Sequence, residues 1–129
     1  MNIIICGAGR VGFTIAKQLS EQGHSITVID QSSEDIQKID DSLDVKAIVG
    51  KATYPSILEK ANASEADMII AVTRNDEINM VICQIAFSIF NIPKKIARIR
   101  SQDYLNPKFT TVYNKENLPI DVIISPEIE

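Results

Sequence analysis

The chain opens on an unbroken apolar run, Asn2-Ile3-Ile4-Ile5-Cys6, which Gly7 stops. Continuity rather than alternation is the pattern of a strand covered on both faces, so this run predicts a buried parallel strand. From Arg10 to Gln22 the spacing changes: Val11, Ile15, Ala16 and Leu19 recur at helical intervals, and Gly23 ends the segment. Ser25 to Ile29 predict a second strand ending at Asp30. Ser32 or Ser33 can cap a helix with Ile36, Ile39 and Leu43 as its apolar positions, and Val45 to Val49 predict a third strand closed by Gly50.

The pattern then repeats. A short helix around Pro55 to Ala61 leads to a strand from Met68 to Val72, and Thr73 to Asp76 form a polar loop able to cap the next helix. That helix is the longest; it runs from about Glu77 to Phe90, carries Ile78, Val81, Ile82, Ile85, Ala86 and Ile89, and stops before Asn91-Ile92-Pro93. Its apolar sector is wide enough for the sheet on one side and a second subunit on another. Ile96 to Ile99 predict a fifth strand, Asp103 to Pro107 a short helix or turn, and Ile120 to Ile124 a sixth strand. Alternation of this kind predicts an α/β fold, a Rossmann-type doubly wound parallel six-stranded sheet of order 3-2-1-4-5-6. Ligands in such sheets gather at the carboxyl ends of the strands where the order reverses, which points to the residues after Cys6 and after Val72.

Composition narrows the setting. The 129 residues, 45% of them apolar and 23% charged, suit one cooperative core, and the predicted elements use nearly all of them. With 17 acidic and 13 basic residues the net charge is −4, without the basic excess of a nucleic-acid surface. The N-terminal run lacks a basic leader and is too short for a span, so an intracellular protein is expected. Cys6 and Cys83 lie in apolar runs and read as buried free thiols; two thiols alone make no four-ligand metal site, and no metal is expected. His24, between a helix and a strand, reads as a surface turn residue.

The chemistry concentrates in the first turn. Gly7-Ala8-Gly9-Arg10-Val11-Gly12 fits G-x-G-x-x-G directly after a strand and opening a helix, and Asp30 closes the next strand 18 residues beyond Gly12. Gly7 permits the tight turn, Gly9 lets a pyrophosphate approach the backbone, Gly12 lets helix and strand pack closely, and the helix N-terminus offers N–H groups to phosphate. Asp30 can accept from both hydroxyls of an adenine ribose and would repel a 2′-phosphate. Because Gln31-Ser32-Ser33 contains no arginine, NAD or NADH is expected over NADP. Arg10 sits within reach of phosphate, and no G-x-x-x-x-G-K-[ST] run is present.

A hydride-transfer enzyme also needs residues that manage a substrate proton, and no such set stands out. Tyr54, Tyr104 and Tyr113 are predicted far apart in loops and helix edges, while Asp76 and Glu77 read as capping acids at the start of the long helix. Arg98 and Arg100 flank Ile99, and strand alternation lets both face one side, toward ligand phosphate or a dimer partner. A dinucleotide site without chemistry beside it suggests sensing rather than catalysis. Two alternatives stand beside that reading: the cofactor domain of an NAD-dependent dehydrogenase, and a structural Rossmann-type assembly module.

The glycine loop, Val72-Thr73-Arg74-Asn75-Asp76-Glu77-Ile78-Asn79-Met80, Cys83-Gln84-Ile85-Ala86, Lys95-Ile96-Ala97-Arg98-Ile99-Arg100 and Ile124-Ser125-Pro126-Glu127 together resemble the N-terminal nucleotide-binding domain of the TrkA family, regulators of bacterial Trk potassium uptake. The resemblance spans essentially the whole chain and implies a cytoplasmic regulatory domain, residues 1–129, excised from a longer chain and peripheral on the inner face of the cell membrane. It implies NAD or NADH, and also ATP or ADP, as ligands. The partners it implies are a membrane potassium transporter subunit and further copies of the chain, a dimer for this domain and a tetramer for the parent. By similarity Gly7 to Val11 would hold phosphate, Asp30 the ribose, Thr73 and Arg74 the second half of the crevice, and Arg98 a further phosphate or ribose. One departure is Lys51 after Gly50, where many members carry an acid; a lysine there exchanges repulsion of phosphate for attraction.

Overall fold

Six short apolar runs become the six strands of one parallel sheet in a computed structural model that describes residues 1–125. They are β1 (Asn2–Cys6), β2 (Ser25–Asp30), β3 (Lys46–Val49), β4 (Met68–Ala71), β5 (Lys94–Arg98) and β6 (Val122–Ile124), in the order β3-β2-β1-β4-β5-β6. The helices α1 (Arg10–Glu21), α2 (Ser33–Ser42), α3 (Pro55–Lys60), α4 (Asp76–Ser88) and α5 (Gln102–Leu105) fill the crossovers. The expected architecture and strand order are therefore the observed ones. Two short 3₁₀ turns, Ala63–Glu65 and Thr110–Val112, were not legible as periodic patterns. The last strand starts two residues later than expected because Pro119 lacks an N–H and Ile120 donates back to Leu118 at 2.9 Å. Pro126 and Glu127 of the C-terminal motif lie outside the described residues.

The central strands are covered on both faces, as continuous apolar runs require. In β1, Ile3 and Ile5 join Ala16, Val28, Ile36 and Ile39 in a core on the α1 and α2 side. Ile4 and Cys6 point the other way and join Leu58, Ile69, Ile82 and Cys83 on the side of α3 and α4. Cys6 and Cys83 are both free and buried. Beneath β5, the 2%-exposed Lys95 bonds the carbonyls of Ile92 (3.0 Å) and Pro93 (3.4 Å) and pairs with Asp121 at 3.1 Å, tying β5 to the approach of β6. His24 sits at the amino edge of the sheet against the Met1 amino group, 3.2 Å away, far from the carboxyl ends of the strands.

Backbone bonds bring those carboxyl ends into line. Gly7 N–H donates to Ile29, Val72 N–H to Cys6, and Gly50 N–H to Asp30, at 2.8, 2.8 and 2.9 Å. The sheet thus presents the ends of β1, β2, β3 and β4 as one rim.

Candidate functional site

At that rim the order reverses between β1 and β4, and a crevice of about 800 Å³ opens there. Its first wall is the glycine turn. Gly7 has φ of +119°, and a Cβ on it would lie 2.8 Å from the Val72 carbonyl oxygen, so only glycine lets β1 turn this close to β4. Gly12 is buried, and a Cβ there would come 1.8 Å from the Gly7 oxygen; its role is the close approach of α1 to the turn, and it does not line the crevice. Gly9, Arg10 and Val11 do line it. Gly9 is the N-cap of α1, carries no side-chain cap, and no acid occupies the first turn, so the helix start faces the crevice with its orphan amides uncapped.

Ala8 departs from the expected pattern. It is buried, and its N–H donates to Asp30 Oδ2 at 2.7 Å, so that amide is already committed within the protein. Asp30 Oδ1 accepts from Ser32 N–H, also at 2.7 Å. The carboxylate therefore fastens the glycine turn to the end of β2 while lining the crevice, and each of its oxygens keeps a second lone-pair direction. Ser32, not Ser33, caps α2, accepting from Asp35 N–H at 3.2 Å. Lys51 lies exposed on the β3 side of the crevice with its Nζ 5.4 Å from the centre of the Tyr54 ring.

The opposite wall comes from β4, α4 and β5. Thr73, Arg74, Asn75, Ile78 and Arg98 line it. Arg98 is half-buried, and its Nε is shut off from solvent without a hydrogen-bond partner among the described residues, a costly state for a donor on a charged group. Arg100 does not share that wall: β5 ends at Arg98, and beyond it strand alternation no longer governs which way a side chain points. Arg100 is exposed and its N–H is held by Asp76.

The start of α4 bears on two further expectations. The cap is Asn75, inside the Thr73 to Asp76 loop expected to supply it; its side chain accepts from Ile78 N–H at 2.9 Å, and the acids Asp76 and Glu77 follow it in the first turn. Asp76 turns inward and accepts from the N–H groups of Arg100 (3.0 Å) and Ser101 (2.8 Å), anchoring the loop after β5. Glu77 accepts from the Tyr104 hydroxyl at 2.6 Å, a bond that holds its carboxyl below the ordinary range and pushes the Tyr104 hydroxyl up. Nor are the tyrosines all far apart, since Tyr113 donates to the Tyr104 carbonyl at 3.0 Å; Tyr54 lies away from that pair, exposed at the start of α3 beside Lys51. Neither tyrosine of that pair lines the crevice.

Sequence reasoning missed Asn79 as a structural element of the site. It is wholly buried behind the second wall, bonded to both Thr73 and Arg98. The signal that could have found it was an amide at a position in register with the inward-facing Ile82, Cys83 and Ala86 of α4. Among the described residues, no His, Cys, Asp and Glu group could hold a metal, and no helix is long and apolar enough to cross a membrane.

Comparison with known proteins gives a consistent picture. The chain is 48% identical to the Trk system potassium uptake protein TrkA of Azorhizobium caulinodans, over all of this chain and 28% of that protein. It is 45% identical to the protein of the same name from Haemophilus influenzae, over 98% of this chain and 28% of that one. The chain thus spans just over a quarter of the length of these curated relatives. Among solved structures, the TrkA-N domain of the inner membrane protein ybaL from Escherichia coli superposes with a TM-score of 0.83 at 21% identity, covering 98% of this chain and 88% of that one. The AMP-bound Kef C-terminal domain of Shewanella denitrificans superposes at 0.71 with 25% identity, over 85% and 69% of the two chains. The GsuK channel bound to NAD superposes at 0.76 with 16% identity, over 95% of this chain and 21% of that one. The family model described as the TrkA-N domain matches residues 3–126, and the chain belongs to the TrkA-N domain family.

Proposed function

We propose that this domain is a nucleotide-binding regulatory module of a potassium-uptake system, reading NAD or NADH, and also ATP or ADP, in the crevice between β1 and β4. It acts by binding and not by catalysis. Phosphates rest on the uncapped start of α1 at Gly9 to Val11, with Arg10 beside them, and the adenine ribose meets the remaining lone pairs of Asp30. Thr73, Arg74 and Arg98 take the second half of the ligand. The observation that carries this reading is a crevice with an open helix N-terminus on one wall and, on the other, Arg98, a cation whose Nε has no hydrogen-bond partner among the described residues. A phosphate or ribose oxygen against that wall would give the Arg98 guanidinium an acceptor. Support also comes from the NAD bound by GsuK and the AMP bound by the Kef domain, both of which share the fold.

Potassium uptake enters through the names of the relatives, which are longer proteins; the parent then works on the cytoplasmic face beside a membrane transporter. A second copy of the chain covers the exposed outer side of α4, where Ile78, Val81 and Ile89 form an apolar stripe beginning at the crevice edge. The phosphate-attracting Lys51 favours ATP at the adenosine end relative to an acid in that place.

Native mass spectrometry followed by calorimetric titration with NADH, NAD, NADPH, ATP and ADP tests the reading. The expected result is a dimeric mass and saturable binding of NADH tighter than that of NADPH. Protein that binds no nucleotide, or that prefers NADPH, overturns it.

A further inference from the structure

Asn79 is 0% exposed, on the face of α4 that turns Asp76, Ile82, Cys83 and Ala86 inward. An amide there must find its full set of partners, two acceptors for Nδ2 and donors for Oδ1. It finds all of them on the second wall of the crevice. Oδ1 accepts from the Thr73 N–H at 3.0 Å and from the Thr73 hydroxyl at 2.7 Å, and Nδ2 donates to the Thr73 carbonyl at 3.1 Å and the Arg98 carbonyl at 2.8 Å. Two carbonyls around one end and two donors around the other leave only one orientation for the amide.

One side chain therefore fixes the main chain of both Thr73, after β4, and Arg98, at the end of β5. Those are the two strand ends of the second mononucleotide half of the sheet, while the glycine turn, Asp30 and Lys51 belong to the first. Arg98 lines the crevice from the end of β5; pairing with Ile124 holds its backbone from the β6 side, and the bond from Asn79 holds its carbonyl from the α4 side.

We propose that Asn79 is a positioning residue for the second half of the crevice, acting through Arg98 and Thr73 to set how strongly the site prefers a dinucleotide over an adenine mononucleotide. The proposal rests on the nucleotide-binding function proposed for the crevice. A dinucleotide spans both halves, whereas AMP needs only the first, so the two ligands report on Asn79 differently. A residue that merely supports the fold would move both affinities together or neither.

The test is a calorimetric double-mutant cycle on this chain with NADH and AMP, using wild type, Asn79→Ala, Arg98→Ala and the double variant. Asn79→Ala is expected to weaken NADH about tenfold, equivalent to about 1.4 kcal/mol, and AMP less than about twofold. In the Arg98→Ala background its effect on NADH should shrink to about twofold. Asn79→Ser, which keeps a hydroxyl to accept from Thr73 but is too short to reach the Arg98 carbonyl, serves the same comparison where alanine leaves too little folded protein. Equal loss of NADH and AMP binding, no loss of either, or additivity with Arg98→Ala overturns the positioning role. Absence of NADH binding in the wild type instead overturns the nucleotide-binding function on which it rests.

Discussion

At the scale of single residues, the glycines of one motif have separate duties that a shared pattern conceals. Gly12 touches no ligand space, yet a Cβ on it would sit 1.8 Å from the Gly7 oxygen, whereas a Cβ on Gly9 would meet nothing within 4 Å. Gly12→Ala should destabilise the fold by at least about 2 kcal/mol, because backbone must move to admit the methyl group. Gly9→Ala should cost no more than about 1 kcal/mol as an N-cap change, while its methyl group would stand where the proposed phosphate approaches. Urea unfolding of both variants beside NADH titration checks this: a stable Gly12→Ala, or a Gly9→Ala with wild-type affinity, contradicts the assignment. Asp30 likewise has a structural duty besides the proposed one toward ribose, since its carboxylate holds Ala8 and Ser32. The acid was legible from its place 18 residues past Gly12, but its grip on the turn was not, because spacing names a residue type and not its partners.

At the scale of elements, α4 joins most of what the domain has to connect. Asn75 caps it, Asp76 anchors the loop after β5, Asn79 ties β4 to β5, and Ile82, Cys83 and Ala86 bury against the sheet. Periodicity found the helix and its apolar faces, since those depend on residues three and four apart. It places the cap in the loop from Thr73 to Asp76, which holds Asn75, but not the inward bonds of Asp76 and Asn79, since these serve backbone groups 24 and 19 positions away that no local window contains. Cys83 of α4 and Cys6 of β1 share the core beneath this helix, and burial pushes the Cys83 thiol up to about 12 and raises Cys6 as well. A raised thiol pKa means the folded state holds its proton more tightly than the unfolded chain. Stability is therefore untouched by these groups below about pH 9 and declines above it, by about 1.4 kcal/mol per pH unit for each thiol until its folded pKa is reached. Urea unfolding at about pH 8 and about pH 10 should show the decline, and Cys83→Ala should make it shallower; an identical pH dependence in that variant contradicts the buried-thiol account.

At the scale of the whole molecule, two mononucleotide halves meet at the β1 and β4 ends, and the crevice between them is the feature on which the function turns. The parallel sheet and its order were readable because continuous apolar strands alternate with amphipathic helices. What reading could not supply was how each half is fastened within itself, by the side chain of Asp30 between the ends of β1 and β2 and by that of Asn79 between the ends of β4 and β5. The outer stripe of α4 begins at Ile78 on the crevice edge, so a ligand in the crevice and a neighbouring copy on α4 would share one residue of contact. On the proposed function, that shared residue would give nucleotide occupancy a physical route to subunit arrangement. The most direct measurement is an NMR titration of the isotopically labelled domain with NADH, following each backbone amide. Saturable shifts at Gly9, Arg10 and Val11 together with Thr73 and Arg98, and none at His24 on the far edge of the sheet, are the predicted result; shifts that are absent, or confined to residues outside the crevice, would contradict it.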